Sequence, residues 1–309
     1  MTELLVTGGG GLLGSAVKVL CPDAFFLTSK EGDLRNPEET KRLFETYRPK
    51  RVLHLAAEVG GVKRNARENA DLFTSNVLIN TNVLSAAREF KVERLISILS
   101  TCVFQFHPER PSTEEDIQNG LPFAGNFGYA YAKRMLDIHT RLLWEQARCP
   151  FSTILPVTMY GPHDNWSLET GHVVAGLIHR SFLAEKKGKP LEVWGTGEAV
   201  RQFVYAPDVA RILLKLLDSY EDPETLIVAP DSGITIAELA RLIARTMDFK
   251  GSIVFNREAP EGERIKRVQS LKFSRLFPDF TFTPLEKGLK ETLQWFSSHP
   301  LETAVGTRA

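Results

Sequence analysis

A run of glycines near the N-terminus constrains the fold more than any other feature of the sequence. Leu4–Thr7 is a short apolar run, four glycines follow it, and Leu12–Leu20 continues with apolar residues at helical spacing. The order strand, tight turn, helix is typical of the first half of a βαβ unit. Gly8, Gly11 and Gly14 would let the backbone approach a diphosphate while the helix N-terminus presents free amides to it. A glycine triplet alone is a weak signal, but with these neighbours it predicts dinucleotide binding.

The same alternation of strand and helix continues along the chain. Apolar runs predict strands at Ala24–Leu27, Arg51–Ala56, Leu95–Leu99 and Phe151–Pro156, with a late strand at Thr225–Val228. Helical spacing predicts helices at Pro37–Tyr47, Asn69–Phe90 and Phe127–Gln146. Such alternation favours a parallel sheet with helices on both faces. We therefore expect an α/β fold with a Rossmann-type, doubly wound parallel sheet and a smaller C-terminal α/β substrate lobe.

The regular alternation of strand and helix patterns stops after Tyr160, where Gly161-Pro162-His163-Asp164-Asn165 follows, which indicates a second region. We expect helices at His172–Lys187, Ile236–Met247 and Leu285–Phe296, with a short strand at Leu191–Trp194. The two regions are predicted to be interleaved along the chain. Residues 1–160 plus about 202–230 would form the NADP-binding domain, and about 161–201 plus 231–309 would form the substrate lobe.

Composition excludes several classes of function. The 309 residues carry 38 basic and 38 acidic side chains, so no global field favours nucleic acid as a partner. No apolar stretch is long enough for a membrane span, and the N-terminus does not resemble a signal peptide. Cys21, Cys102 and Cys149 have no metal-binding spacing, which argues against a zinc site and against a disulfide framework. We expect a cytoplasmic protein with no bound metal.

The residues after the second strand indicate which dinucleotide binds. An Asp or Glu there would hydrogen-bond the ribose of NAD, but this chain has Leu27-Thr28-Ser29-Lys30. A lysine at this place favours NADP(H) over NAD, because it would pair with the 2′-phosphate. The alternative is that Lys30 is an ordinary solvated lysine, in which case the cofactor choice stays open.

A possible acid for carbonyl chemistry lies on the helix predicted at Phe127–Gln146. Tyr129 and Lys133 are four residues apart, so they share one face, and the ammonium would lower the pKa of the phenol. Ser100 follows a predicted strand and would hydrogen-bond the same carbonyl oxygen that the phenol protonates. Tyr-x-x-x-Lys often occurs by chance, but the order glycine turn, strand-end Ser, Tyr-x-x-x-Lys predicts a reductase-like site.

Six segments carry a resemblance that spans nearly the whole chain. They are, in order, Leu55-Ala56-Ala57-Glu58-Val59-Gly60-Gly61, Ser100-Thr101-Cys102, Asn126-Phe127-Gly128-Tyr129-Ala130-Tyr131-Ala132-Lys133, Tyr160-Gly161-Pro162-His163-Asp164-Asn165, Gly171-His172-Val173 and Trp194-Gly195-Thr196-Gly197. Together they are similar to the GDP-L-fucose synthase family. Thr7 followed by the G-x-x-G-x-x-G spacing resembles the extended short-chain dehydrogenase/reductases more widely.

The resemblance implies a bifunctional, NADPH-dependent oxidoreductase and epimerase. It would invert C3 and C5 of GDP-4-keto-6-deoxy-D-mannose and then reduce C4 in the same pocket. By the match, Cys102 and His172 supply the base and acid for epimerisation. The match also implies that Arg180, Arg201 and Lys266 hold the diphosphate of a GDP-sugar and that Trp194 lines the nucleotide pocket.

One further expectation and two alternatives accompany this resemblance. The helices predicted at Asn69–Phe90 and Phe127–Gln146 resemble the pair through which such reductases form a homodimer. The nearest alternative function is another extended short-chain nucleotide-sugar epimerase or reductase. The second alternative is a non-catalytic NADP-binding redox sensor, against which the set Ser100, Tyr129 and Lys133 argues.

Overall fold

In the computed structural model, which describes residues 2–259 and 261–299, a six-stranded sheet combines five strands that lie before residue 157 with one later strand, Leu226–Val228. The strands are β1 (Leu4–Thr7), β2 (Phe25–Leu27), β3 (Arg51–His54), β4 (Arg94–Ile98), β5 (Phe151–Pro156), β6 (Thr158–Tyr160), β7 (Leu191–Trp194), β8 (Val200–Arg201), β9 (Phe203–Tyr205), β10 (Leu226–Val228), β11 (Ile234–Thr235) and β12 (Ile253–Asn256). The helices are α1 (Leu12–Leu20), α2 (Pro37–Tyr47), α3 (Val62–Arg67), α4 (Asn69–Glu89), α5 (Phe127–Ala147), α6 (Val173–Lys187), α7 (Ala206–Ser219), α8 (Ile236–Thr246), α9 (Leu271–Leu276) and α10 (Leu285–Ser298).

The strand order of the large sheet is β2-β1-β3-β4-β5-β10, and every neighbouring pair is parallel. The chain moves outward in one direction from β1 to β2 and in the other from β3 onward. This reversal creates a crevice at the carboxyl ends of β1 and β3, where open α/β sheets bind their ligands. The glycine turn follows β1 and therefore lies at that crevice.

Helices cover both faces of this sheet, as the alternating pattern predicted. Helix α1 packs against α7, whereas α4 packs against α2 and α5. The strands between them are buried almost completely, which explains why their sequences are continuous apolar runs. The expected Rossmann-type α/β fold is confirmed.

A second apolar cluster lies outside the sheet and contains the side chains of α6, α8 and α10. Helix α8 contacts both α6 and α10, and β7 pairs in parallel with β12. Phe203 and Tyr205 of β9 pack in this second cluster, whereas the apolar face of α7 packs in the first. The boundary expected at about residue 202 thus falls just before a strand that contributes to both clusters, since Val204 packs in the first. The division into two interleaved domains stays a prediction, and its last residues, 300–309, lie outside the described part of the chain.

Several elements had no sequence signal. The strands β8 and β11 have two residues each and pair with one another in antiparallel orientation, and β6 pairs with β9. Runs this short contain no measurable periodicity, so only tertiary pairing defines them. Helix α3 and strand β12 were likewise not expected. In the described ranges, no helix combines the length and the apolar character needed to cross a membrane.

Candidate active site

One cavity of about 1990 Å³ opens at the carboxyl edge of the large sheet and extends to the second cluster. Every site residue predicted from the sequence lines it. They are Gly8, Gly11, Gly14, Lys30, Ser100, Cys102, Tyr129, Lys133, His172, Arg180, Trp194, Arg201 and Lys266. Residues that are up to 258 positions apart in sequence, from Gly8 to Lys266, therefore share one space.

The glycine turn is shaped for close backbone approach. Gly8 has φ +71°, a conformation that side chains with a Cβ rarely adopt, and a Cβ at Gly14 would lie 2.5 Å from the carbonyl oxygen of Gly8. Gly11 is the N-cap of α1 and has no side chain to satisfy the first amides of the helix. These free amides and the open surface above them suit a diphosphate.

Basic and acidic side chains both line the cavity at the end of β2. Lys30 is exposed there and lines the cavity, which fits a residue that meets a 2′-phosphate and equally an ordinary solvated lysine, so its role stays a prediction. The adjacent Glu31 accepts hydrogen bonds from the backbone N–H and the hydroxyl of Thr28, at 2.6 and 2.7 Å. These bonds lower the pKa of Glu31, which thus remains ionised and is engaged within its own turn. Arg35 also lines this end and pairs with Asp33. Sequence reasoning missed both Glu31 and Arg35.

Ser100 and Cys102 lie side by side just beyond β4. Ser100 caps a short helical turn at Thr101–Val103, and its Oγ is 2.8 Å from the Sγ of Cys102. Burial raises the pKa of the Cys102 thiol, and the nearby Lys266 ammonium opposes that effect. The thiol is therefore mainly protonated at neutral pH, with a cation present that favours its ionised form.

Tyr129 and Lys133 lie one turn apart on α5, as their spacing predicted, but their electrostatics differ from the expectation. The Nζ of Lys133 is 5.7 Å from the ring centroid of Tyr129 and donates its hydrogen bond to the carbonyl oxygen of Ile98 at 2.8 Å. Burial raises the pKa of Tyr129 and lowers that of Lys133 to about 8. The expected lowering of the phenol pKa is wrong for this structure because desolvation dominates. Tyr129 holds its proton at neutral pH.

A buried histidine lies behind these groups. The Nδ1 of His54 is 2.9 Å from the hydroxyl of Thr7, and its Nε2 is 3.1 Å from the Oδ1 of Asn80. Burial, and to a lesser degree the charge of Lys133, lowers the pKa of His54 to about 3. His54 is therefore a neutral hydrogen-bonding bridge between β1, β3 and α4.

His172 reaches the cavity from the N-cap of α6. Its side chain is 43% exposed, and its Nδ1 is 3.8 Å from the Oδ1 of Asp164, whose side chain is 2% exposed. The expected helix start at His172 differs from the observed one by a single residue. Asp164 had not been singled out, although it lies in the segment Gly161-Pro162-His163-Asp164-Asn165 that carried the resemblance.

Three cations also line the cavity, and one of them, Lys266, lies between the Cys102 thiol and Arg201 in its electrostatic contacts. The guanidinium of Arg180 is 4.7 Å from the ring centroid of Trp194, and burial lowers the pKa of both Arg180 and Arg201. The Nζ of Lys266 is 3.9 Å from a carboxylate oxygen of Glu263, and burial lowers its pKa as well. Three partly desolvated cations in one cavity favour a polyanionic ligand. Across residues 2–259 and 261–299 no cluster of three or more His, Cys, Asp or Glu is placed to hold a metal.

Comparison with known proteins assigns the class. The NAD dependent epimerase/dehydratase family matches residues 4–229. The GDP-L-fucose synthase of Dictyostelium discoideum is 41% identical over 302 residues, covering 95% of this chain and 94% of the relative. The probable GDP-L-fucose synthase of Drosophila melanogaster is 35% identical over 312 residues, covering 96% of this chain and 97% of the relative.

A solved structure agrees with these relatives. The crystal structure of a GDP-L-fucose synthetase from Naegleria fowleri bound to NADP is 39% identical and has a TM-score of 0.91, covering 98% of this chain and 95% of that one. The chain belongs to the NAD dependent epimerase/dehydratase family, in the branch that contains the GDP-L-fucose synthases.

Proposed function

We propose that this protein converts GDP-4-keto-6-deoxy-D-mannose to GDP-L-fucose with NADPH. The observation that carries the proposal is that five side chains suited to hold or move protons line one cavity: Ser100, Cys102, Tyr129, Lys133 and His172. Relatives named for this activity match almost the whole chain, which supports the same assignment. The alternatives, another nucleotide-sugar epimerase or reductase and a silent redox sensor, gain no support from these relatives.

The residues around the glycine turn fit NADP(H). A Cβ at Gly14 would lie 2.5 Å from the carbonyl oxygen of Gly8, so glycine lets the turn pack closely on α1, whose first amides would face the diphosphate, and Lys30 is exposed where the 2′-phosphate would lie. The Naegleria relative was solved with NADP, which supports the same cofactor here. When bound, NADPH supplies the hydride that reduces the C4 ketone.

Protons next to a ketone are acidic because their removal leaves an enolate whose charge rests on oxygen. Tyr129 and Ser100 hold that oxygen by hydrogen bonds during epimerisation and again during reduction. Tyr129, which keeps its proton at neutral pH, then donates that proton to the C4 oxygen. Cys102 and His172 exchange the protons on C3 and C5, one acting as the base and the other as the acid. Both reactions use the same oxygen, which explains how one pocket serves two chemistries.

The nucleotide end of the substrate lies among the cations. Arg180, Arg201 and Lys266 bind the diphosphate, and Trp194 lines the nucleotide pocket. In this arrangement the dinucleotide domain is residues 1–160 plus about 202–230, and the substrate lobe is about 161–201 plus the chain from 231 onward. The GDP-sugar then bridges the two, with its sugar at the Ser100 end.

We also propose that the protein is a homodimer formed by α4 and α5. These neighbouring helices expose large apolar side chains, each between 41% and 52% exposed: Leu78, Phe127, Met135, Ile138 and Leu142. Such a patch favours four-helix packing with a second copy. A cytoplasmic location remains a prediction from the sequence.

Turnover in heavy water tests the proposed function. The protein is incubated with GDP-4-keto-6-deoxy-D-mannose and NADPH in D₂O, and the product is analysed by mass spectrometry and NMR. We expect deuterium at both C3 and C5 and oxidation of one NADPH per product. A plain reductase would leave both carbons unlabelled, and a redox sensor would bind NADPH without turnover.

The variant Cys102→Ser separates the two reactions. We expect it to impair deuterium uptake yet to reduce an already epimerised 4-ketone at the wild-type rate, because the thiol moves protons on carbon and not hydride. Cys21→Ser is the matched control, since Cys21 is a partly buried thiol outside the cavity. Equal loss of both activities in Cys102→Ser would overturn the role given to Cys102.

A further inference from the structure

Asp164 is a buried carboxylate that faces the histidine of the cavity. Its side chain is 2% exposed, one oxygen lies 3.8 Å from the Nδ1 of His172, and within the described residues no lysine or arginine pairs with it. The other oxygen, Oδ2, is buried and has no hydrogen-bond partner in the described part of the chain. A buried carboxylate oxygen without a donor is costly unless a donor arrives in a working state of the protein.

The loop between β6 and α6 holds this carboxylate in place. The backbone N–H of Asn165 donates to the Oδ1 of Asp164 at 2.6 Å. The side chain of Asn165 bonds to Ser167 and to Thr170, at 3.1 and 3.0 Å, so the loop closes on itself directly before His172. At Gly171 a Cβ would lie 2.4 Å from the carbonyl oxygen of Asn165, so only glycine permits this closure. Asp164 and His172 are thus fixed relative to one another by their own loop.

The distance of 3.8 Å between the Nδ1 of His172 and the Oδ1 of Asp164 is longer than a hydrogen bond, but a small rotation of the imidazole would shorten it to one. The side chain of His172 is 43% exposed and therefore has room to turn. Hydrogen bonds at catalytic sites commonly tighten when the substrate is bound. The ring needs only to tilt toward the Asp164 carboxylate for Nδ1 to donate to one of its oxygens.

We propose that Asp164 is the positioning residue of His172 in the epimerisation, an inference that rests on the proposed function. Its carboxylate accepts the Nδ1–H of His172 and so leaves Nε2 to face the sugar. As a base, Nε2 takes one proton from the carbon beside the ketone, and the C–H electron pair becomes the enolate. Cys102 protonates that carbon from the opposite face, and at the other carbon the roles reverse, with Cys102 as the base and Nε2–H as the acid. Asp164 touches neither the sugar nor the cofactor.

The variant Asp164→Asn tests this role with little change in shape. The new amide oxygen can still accept from the N–H of Asn165, but the amide NH₂ group would donate to Nδ1 of His172. The imidazole proton would then lie on Nε2, which could no longer act as the base. We expect deuterium uptake at one of the two carbons to fall on the order of 100-fold or more. The KM for the GDP-sugar and the reduction of an already epimerised ketone should remain unchanged. Asp231→Asn, at an exposed carboxylate outside the cavity, is the control for loss of charge.

A spectroscopic measurement decides the contact independently of activity. The seven histidines are labelled with ¹⁵N, and the His172 ring signals are assigned by their loss in His172→Gln. Spectra are recorded with NADP⁺ and GDP-L-fucose at alkaline pH, where an imidazole carries one proton. We expect the Nδ1–H tautomer in the wild type and the Nε2–H tautomer in Asp164→Asn. An Nε2–H tautomer in the wild type would overturn the proposal even if the variant failed to fold.

The outcomes separate this inference from the function on which it rests. Wild-type exchange at C3 and C5 that persists unchanged in Asp164→Asn would overturn the role of Asp164 alone. A wild-type protein without exchange would overturn the proposed function and this role with it. A proportional loss of exchange and reduction in Asp164→Asn would indicate a purely structural carboxylate and would also overturn the proposal.

Discussion

Lys133 donates a hydrogen bond from Nζ to the carbonyl oxygen of Ile98, the last residue of β4, at 2.8 Å. This contact ties α5 to the edge of the sheet two residues before Ser100. It holds the lysine in a buried position, and burial lowers its pKa to about 8. Lys133 therefore changes charge near the pH at which the protein would be assayed.

We expect the rate of ketone reduction to fall as the pH rises through about 8, because Lys133 loses its positive charge there. The free energy of unfolding depends on pH in the opposite direction. An unfolded lysine titrates at about 10.4, so between about 8 and 10.4 the unfolded chain binds more protons and the free energy of unfolding rises with pH. Rate profiles and urea unfolding, both recorded from pH 7 to 10, check the two trends. A rate that stays flat up to pH 9.5 would contradict the assignment, and Lys133→Met should remove this part of the stability slope.

The buried His54 should make the fold sensitive to acid. Its pKa is about 3 in the folded chain and about 6.5 when unfolded, so the folded state is favoured above 6.5 and loses this contribution as the pH falls toward 3. Between pH 7.5 and 4.5 we expect it to account for a loss of roughly 2–3 kcal/mol in the free energy of unfolding. His54→Gln should flatten that part of the pH dependence, as measured by urea unfolding. His107→Gln, at an exposed histidine, should leave the slope as in the wild type.

The apolar face of α4 and α5 can be tested with a matched pair of variants. Leu142 on α5 is 52% exposed and Leu271 on α9 is 51% exposed. We expect Leu142→Asp to convert a dimer to a monomer, because it places a charge within the proposed four-helix contact, whereas Leu271→Asp should remain dimeric. Light scattering after size-exclusion chromatography gives the masses. A wild-type mass near 34.6 kDa would refute the homodimer.

Cofactor preference should depend on Lys30. We expect Lys30→Ala to raise the KM for NADPH by about tenfold, since one charge-assisted hydrogen bond contributes about 1.5 kcal/mol or more. The KM for NADH should not change, because NADH has no 2′-phosphate. Lys189→Ala is the control at an exposed lysine outside the cavity. A parallel rise for both cofactors would show that Lys30 does not read the 2′-phosphate.

The sequence predicted the elements of the large sheet because each is a continuous apolar run or a long amphipathic helix. Several bounds agree fully, such as Leu4–Thr7 and Phe151–Pro156. The third strand was expected to extend to Ala56 but ends at His54: the N–H of Leu55 still donates to the carbonyl oxygen of Thr7, whereas that of Ala56 donates to the Thr7 hydroxyl, and both residues line the cavity. Local pattern cannot reveal that change, since both residues are apolar in either position.

The chemistry of the site was less accessible from the sequence. The spacing of Tyr129 and Lys133 placed both side chains at the cavity, but the sign of the phenol pKa shift depends on burial, which spacing does not contain. Likewise the approach of Asp164 to His172 follows from hydrogen bonds within one irregular loop. The sequence motifs predicted which side chains line the cavity. Which of these side chains hold a proton at neutral pH depends on their packing.

Strand β10 pairs with β5 and completes the edge of the large sheet, although some seventy residues separate the two, counting from Pro156 to Leu226. A ribosome must therefore synthesise the whole segment between them, and β10 itself, before β5 gains its outer neighbour. During synthesis β5 presents an open hydrogen-bonding edge while α6 and β7 are already outside the exit tunnel. The nascent chain would need protection from edge-to-edge association over that interval, and a gene fragment that ends before Leu226 would keep that exposed edge permanently.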